Sequence, residues 1–343
     1  MNYEEIMLEI KSNLCGEAEI DLIYLQEQLR KYKEHESSEE LLWGIGRLIF
    51  EVLPEEQKQE LSQTLVDNSQ ILSAVLEEAQ DEIAQQNYDR GITLLESLVE
   101  KIDAATPRYE GDKENEYLCF DNLLEEVLYR QLYKTGKNIR LVPHEYADTY
   151  LVYGNLLLEM GRYKEARKAL LKSKRWNPIK VETLFELGEI YKANQQFKRY
   201  LEVNLKALSQ AYTALKLARC YRNLGYYYVE KEKYELATAL YSFSVRYDRE
   251  SNIARAALQY ISHKTGERVI PPSFERCGEL FAENGIQFGP NELLLNIAVS
   301  LGDQARDAQV FEEAGYYYSI AYELTGDPQV KKWIDALPVG ESH

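Results

Sequence analysis

Three glycines, Gly154, Gly188 and Gly225, sit in nearly the same local frame, and their spacing constrains the fold more than any other feature of the chain. The first frame reads Tyr150-x2-Tyr153-Gly154-x2-Leu157, followed by Ala166-x3-Leu170 and then Pro178. The second begins Leu184-x2-Leu187-Gly188-x2-Tyr191, and the third is Tyr221-x2-Leu224-Gly225-x2-Tyr228 followed by Ala237-x3-Tyr241. The first two glycines lie 34 residues apart and the next two 37. A glycine inside a helix costs about 1 kcal/mol against alanine, so its return at one phase needs a compensating gain. Close approach of two helices supplies it. The spacing predicts antiparallel helix pairs in which the alanine of the second helix faces the glycine, with large residues filling the space above and below. Each pair keeps an apolar side that only a neighbouring pair covers.

This order of residues resembles the tetratricopeptide repeat, a 34-residue helix pair with the pattern W-x2-LG-x2-Y, then A-x3-F, then P. The match is strongest over 147–251. A fourth unit lies at 295–328, with Ala298-x2-Leu301-Gly302, Phe311, Ala314-x3-Tyr318 and Pro328. A weaker one at 72–105 keeps Tyr88, Gly91 and Leu95 in its second helix but has no glycine in its first. In the second unit Tyr200 takes the place of the alanine, which predicts a splayed pair. Residues 252–290, with Pro271-Pro272 and Gly285, fall out of phase and read as a degenerate unit. The layout is also similar to that of uncharacterised bacterial tetratricopeptide proteins. The resemblance implies an all-α, right-handed solenoid of antiparallel helix pairs, with the first helix of each unit lining a concave wall.

Four regions follow. Residues 1–70 read as an acidic helical module, with one stripe at Leu22, Leu25, Leu29 and Tyr32 and another at Leu41, Ile45, Leu48 and Val52. Ser37 and Glu40 form a capping box, and Pro54 followed by Glu55 and Glu56 starts a further helix. Residues 71–146 hold the weak unit, the loop TPRYEGDKEN expected to be mobile, and an extra helix near 116–134. Residues 147–251 hold three regular units, and 252–343 the degenerate unit, a last regular unit and a closing helix at 327–336.

No apolar run is long enough to cross a membrane, and the acidic start MNYEEIMLEI lacks the character of an export signal, so the cytoplasm is the expected compartment. Cys15, Cys119, Cys220 and Cys277 are too scattered for a zinc site or a disulfide framework. The net charge of −17 opposes general binding to nucleic acid. It is unevenly spread, at −21 over residues 1–129, +11 over 130–222 and −7 over 223–343. The chain holds 27 tyrosines against 9 phenylalanines, a choice suited to a thin array in which ring edges reach water or a hydrogen-bond partner.

Motifs for phosphate binding, nucleophilic catalysis and metal ligation are absent, so neither an enzyme nor a cofactor is expected; a helical-repeat hydrolase is the distant alternative. The inner wall is the candidate surface. Helical phase places Asn155 there in the first regular unit, Phe185, Glu189 and Lys192 in the second, and Arg219, Arg222 and Tyr226 in the third, with Asn223 next to Arg222. Lys216, Arg219 and Arg222 make a basic stripe suited to a carboxylate of a bound peptide, with Asn155 and Asn223 holding its backbone. Alternatively these bases pair with Glu182, Glu186 and Glu189 of the preceding unit. Leu151 and Glu186 stand where a carboxylate clamp of the family would need polar or basic residues. A second basic stretch, GRYKEARKALLKSKRWNPIK at 161–180, faces solvent, an acidic protein or the chain's own acidic third. The reading is an intracellular interaction scaffold or adaptor that takes an extended peptide or a helix in the concave groove; the alternative is a peptide-sensing regulator that controls a second protein.

Overall fold

The computed structural model describes residues 3–32, positions 41, 44–46, 48, 49 and 52, and residues 69–338. The capping box at Ser37 and Glu40 and the helix start at Pro54 lie outside them. The described residues fall into two compact units, one drawn from within 1–119 and 136–177 and the other from within 120–135 and 178–343.

The first unit opens with α1 (Tyr3–Ser12) and α2 (Ala18–Lys31). Ile6, Ile10, Leu25 and Tyr32 bury a small core against Leu41, Ile45 and Leu48, with Leu29 and Val52 at its edge, so the two predicted stripes share one interior. A hairpin of α3 (Ser69–Ala84) and α4 (Tyr88–Ala105) follows. Its glycine sits on the second helix: a Cβ at Gly91 would fall 2.7 Å from the Ile83 side chain of the first.

The loop expected to be mobile is fastened instead. Thr106–Tyr109 form a 3-10 turn, and the Tyr109 ring lies 6.0 Å from Tyr146 and 6.4 Å from Trp176, centroid to centroid. The Asp112 carboxylate accepts the backbone N–H groups of Glu114 at 2.7 Å and Asn115 at 2.6 Å, closing the turn that side-chain composition alone had suggested was loose. The helix expected from 116 begins only at Leu123. Residues Asn115–Leu118 form a strand, β1, paired in parallel with β2 (Asn138–Leu141) and joined to it through α5 (Leu123–Tyr133). Asn122 ends the extended stretch by accepting the Glu125 N–H at 3.1 Å, and the Cys119 N–H donates to the Trp176 carbonyl at 2.9 Å. Partners distant in sequence thus hold β1 extended. The unit closes with the hairpin of α6 (Glu145–Glu159) and α7 (Tyr163–Trp176).

The second unit contains α5 and two consecutive hairpins, α8 (Val181–Ala193) with α9 (Phe197–Gln210) and α10 (Ala214–Glu230) with α11 (Tyr234–Ser244). In the degenerate region α12 (Asn252–Thr265) and α13 (Phe274–Glu283) each pack on α11. A left-handed Gly266 and the Pro271-Pro272 pair keep their connection long. A last hairpin, α14 (Glu292–Asp307) with α15 (Phe311–Thr325), is closed by α16 (Pro328–Asp335), and α14 packs on α5.

Five hairpins share one turn. The first helix ends on a residue of positive φ, namely Gln86, Gly161, Gln195, Glu232 or Gln309, at 54 to 73°. The next N–H then reaches back five residues, from Asn87 to Glu82, Arg162 to Leu157, Gln196 to Tyr191, Lys233 to Tyr228 and Val310 to Ala305, at 2.8–2.9 Å. This satisfies carbonyls that a helix end leaves open.

The glycine contact differs from the expected one. The facing group is the large residue four positions after the alanine: a Cβ at Gly154 would lie 2.6 Å from Leu170, at Gly225 2.8 Å from the Tyr241 ring, and at Gly302 2.6 Å from the Tyr318 ring. Ala166, Ala237 and Ala314 are fully buried beside it. Only Gly188 meets ordinary spacing, 3.4 Å to Asn204, where the presence of Tyr200 had suggested a looser pair. The tyrosines divide as their phase requires: Tyr228 and Tyr318 are core, while Tyr226 is half-buried and Tyr316 exposed. Buried hydroxyls find distant acceptors, Tyr150 on Asp103 at 2.6 Å, Tyr212 on Glu125 at 3.1 Å and Tyr221 on the Gln287 carbonyl at 3.0 Å.

Two outcomes follow for urea unfolding. Gly302→Ala should lose about 2 kcal/mol by overpacking against Tyr318, whereas Gly188→Ala should be neutral or gain up to about 1 kcal/mol from helix propensity. Lys101, 9% exposed on α4, has its ammonium pKa pushed down by burial to about 8, with Glu100 opposing the shift. A cation whose folded pKa is depressed costs the fold nothing above pH 10.5, and its cost grows as pH falls from 10.5 to about 8, below which it is complete. Lys101→Met should therefore be more stable than wild type at pH 7, by about 2 kcal/mol, and the gap should narrow between pH 8 and 10.5.

Candidate functional site

The outward positions of α8 and α10 recur every three or four residues, which puts Glu182, Glu186 and Glu189 on one helix beside Lys216, Arg219 and Tyr226 on the next. The Thr213 hydroxyl accepts the Lys216 N–H at 3.3 Å and fixes where α10 begins, hence the phase of its face. The charges on this face are matched. Lys216 holds Glu182 at 2.7 Å and Arg219 holds Glu186 at 3.1 Å, while Lys192 pairs with Glu189. Burial pushes the Glu186 carboxyl above the usual carboxylate range, and Arg219 offsets only part of that.

Aromatic rings sit beneath the cations. Phe185 is 2% exposed and lies under the Arg219 guanidinium, 4.4 Å from ring centroid to Cζ. The Lys192 ammonium is 5.4 Å from the Tyr226 ring, which meets the Tyr200 ring edge-on at 5.7 Å. These contacts order side chains that would otherwise sample many rotamers.

Arg222 and Asn223 belong to the fold more than to its surface. Arg222 donates to the Asp248 carboxylate at 2.8 Å with its side chain 12% exposed. The Asn223 amide donates to Asn204 Oδ1 at 2.7 Å, the Asn204 amide to the Tyr200 carbonyl at 2.8 Å, and the Tyr200 hydroxyl to the Asn223 carbonyl at 3.1 Å. This closed network ties α9 to α10. Of the eight residues nominated from the sequence, seven therefore lie on or just under one face of the second unit; Asn155 is an exposed residue of α6 in the first unit. The stripe's bases already hold carboxylates: Lys216 and Arg219 those of the preceding hairpin, and Arg222 one from the segment after α11.

Asp248 and Asn204 were not anticipated. Asn204 carried a signal, since it occupies the position where Leu170, Tyr241 and Tyr318 stand in the other hairpins. In the basic stretch at 161–180, Lys172 pairs with Asp103 at 2.6 Å within the first unit and Lys180 with Asp121 at 2.6 Å within the second. Two of its bases thus meet acids of the amino-terminal third. Among the described residues no helix is long and apolar enough to cross a membrane.

The hairpins share one turn, and three of them share one glycine contact. No family model matches the sequence, and no curated protein matches it. Among solved structures, similarity is found to Pseudomonas aeruginosa PilF, at 12% identity over 80% of this chain and 97% of that one, with a TM-score of 0.41. A tetratricopeptide repeat protein from Parabacteroides merdae is also 12% identical, covers 97% of both chains and scores 0.36. The Cut9–Hcn1 hetero-tetramer of the APC/C matches at 12% identity over 91% of this chain and 60% of that one, with a score of 0.33.

The two arginines should separate in a stability measurement. Arg222→Ala leaves Asp248 half-buried without its partner and should cost about 2–3 kcal/mol, while Arg219→Ala, at a 38% exposed side chain, should cost less than about 1 kcal/mol. In a double-mutant cycle, Arg222→Ala with Asp248→Ala should cost clearly less than the two single changes added.

Proposed function

We propose that this chain is an intracellular protein-interaction scaffold, without catalytic activity of its own, that takes an extended peptide or a helix along the outward face of α8 and α10. The observation that carries the reading is the pre-ordered array on that face: matched ion pairs held over Phe185 and beside a half-buried Tyr226. An ordered polar face lowers the conformational entropy lost on binding, and rings with a polar edge contribute contact area at little further entropic cost. Because Arg219 already holds Glu186, a partner gains most here by laying its backbone and side chains along the Tyr226 and Phe185 strip, less by offering a carboxylate.

Arg219→Glu combined with Tyr226→Ala tests this without touching the buried Arg222. In quantitative affinity capture from the native cells, the proteins retained by wild type should be depleted at least about tenfold on the variant. An unchanged set of retained proteins, with the variant's thermal unfolding intact, would remove this face from consideration.

A further inference from the structure

A trough of 1060 Å³ lies within the second unit, lined by the end of α11 with the segment after it and by parts of α13, α14 and α15. Phenylalanines form its apolar part. Phe243 is buried, and its ring centroid lies 4.8 Å from Phe288 and 6.0 Å from Phe274. Phe274 and Phe288 are themselves 4.8 Å apart and remain 48% and 38% exposed. Two large rings left open side by side at a concavity mark a surface that gains from being covered.

Charges of both signs share this trough. The segment after α11 contributes Arg246 and Arg249, while α14 and α15 contribute Glu292 and Glu323. The Arg246 guanidinium lies 4.6 Å from the Phe274 ring centroid, so it is ordered at the edge of the apolar patch. Asp248, between the two arginines in sequence, is committed to Arg222 and does not neutralise them. Among the described residues, none of these four side chains makes a hydrogen bond or an ion pair, with each other or with anything else. The contrast with the α8–α10 face is direct, since every base of the stripe there already has its acid. The Ser242 hydroxyl, also on the trough wall, is enclosed without a hydrogen-bond partner.

We propose that this trough is a second docking site, independent of the α8–α10 face, for a segment of a partner polypeptide in which a bulky apolar side chain is flanked by an acidic residue on one side and a basic residue on the other. The apolar side chain covers Phe274 and Phe288. The carboxylate meets Arg246 and Arg249, where a guanidinium fork can bind both oxygens, and the cation meets Glu292 and Glu323. A segment carrying one sign of charge satisfies one pair and is repelled by the other, so the trough selects a dipolar sequence by cost as well as by gain. Its open form admits a chain that enters and leaves.

Fluorescence anisotropy with the full-length protein tests the proposal. The probes are labelled heptapeptides with terminal glycines, two aspartates, a central tryptophan and two lysines, made in both charge orders. One control replaces the tryptophan by alanine and another replaces the lysines by aspartate. The better of the two dipolar probes should bind at least about tenfold more tightly than either control. Arg246→Ala with Arg249→Ala, both exposed, should weaken it about tenfold, as should Phe288→Ala, whereas Arg219→Ala should leave it unchanged. Equal affinity for probes and controls overturns the proposal, as does the absence of binding up to about 1 mM. So does wild-type affinity in the double arginine variant. Weakening by Arg219→Ala in place of the Arg246 and Arg249 changes would assign the probe to the α8–α10 face, overturning the trough while leaving the scaffold reading in force.

Discussion

A helix that carries no side chain at one point can let a ring or a branched side chain rest directly on its backbone, and the hairpins of this chain depend on that contact. Leu170 lies over Gly154, Tyr241 over Gly225 and Tyr318 over Gly302, each so close that a single methyl group would collide. The contact fixes the separation of the two helices, and the left-handed residue that ends the first helix fixes how soon the second begins. With both set, the apolar side of each hairpin has a defined shape that the next element must match. The cost of glycine in a helix and of positive φ at Gln195, Glu232 and Gln309 is thus the means by which a local pattern dictates packing.

One hairpin departs from this scheme, and the departure is informative. Asn204 stands where a leucine or tyrosine would press on Gly188, and its amide instead joins the Tyr200 carbonyl to the Asn223 side chain. A buried polar network replaces a packing contact, linking α9 to α10 through groups that are all engaged. The Tyr200 ring of this network meets the Tyr226 ring edge-on, so a variant that loosened the network would disturb the face on which Tyr226 stands.

Electrostatics separates two kinds of surface in the second unit. On α8 and α10 the cations hold carboxylates of the chain and stack on rings, which orders them but leaves little attraction for an incoming charge. Around Phe274 and Phe288 both signs are present and unmatched, so desolvation there is compensated only when something else binds. The acidic bias of the amino-terminal third has a structural use as well, because Asp103 and Asp121 receive Lys172 and Lys180.

Recurrence of glycine and large residues at 34 to 37 positions was enough by itself to point to paired helices around Gly154, Gly188 and Gly225 and to divide Tyr226 from Tyr228, because these follow from helical period alone. The stripe at Lys216, Arg219 and Arg222 was visible for the same reason. What the period could not reveal is which atoms meet across chain segments far apart in sequence. That Asn115–Leu118 is a strand, that the residue facing each glycine is not the alanine, and that Arg222 belongs to Asp248 are all decided by partners 20 or more residues away or on another helix. The trough around Phe243, Phe274 and Phe288 belongs to the same class: its residues come from separate helices and the loops beside them, share no local periodicity, and meet in one concavity only through tertiary packing.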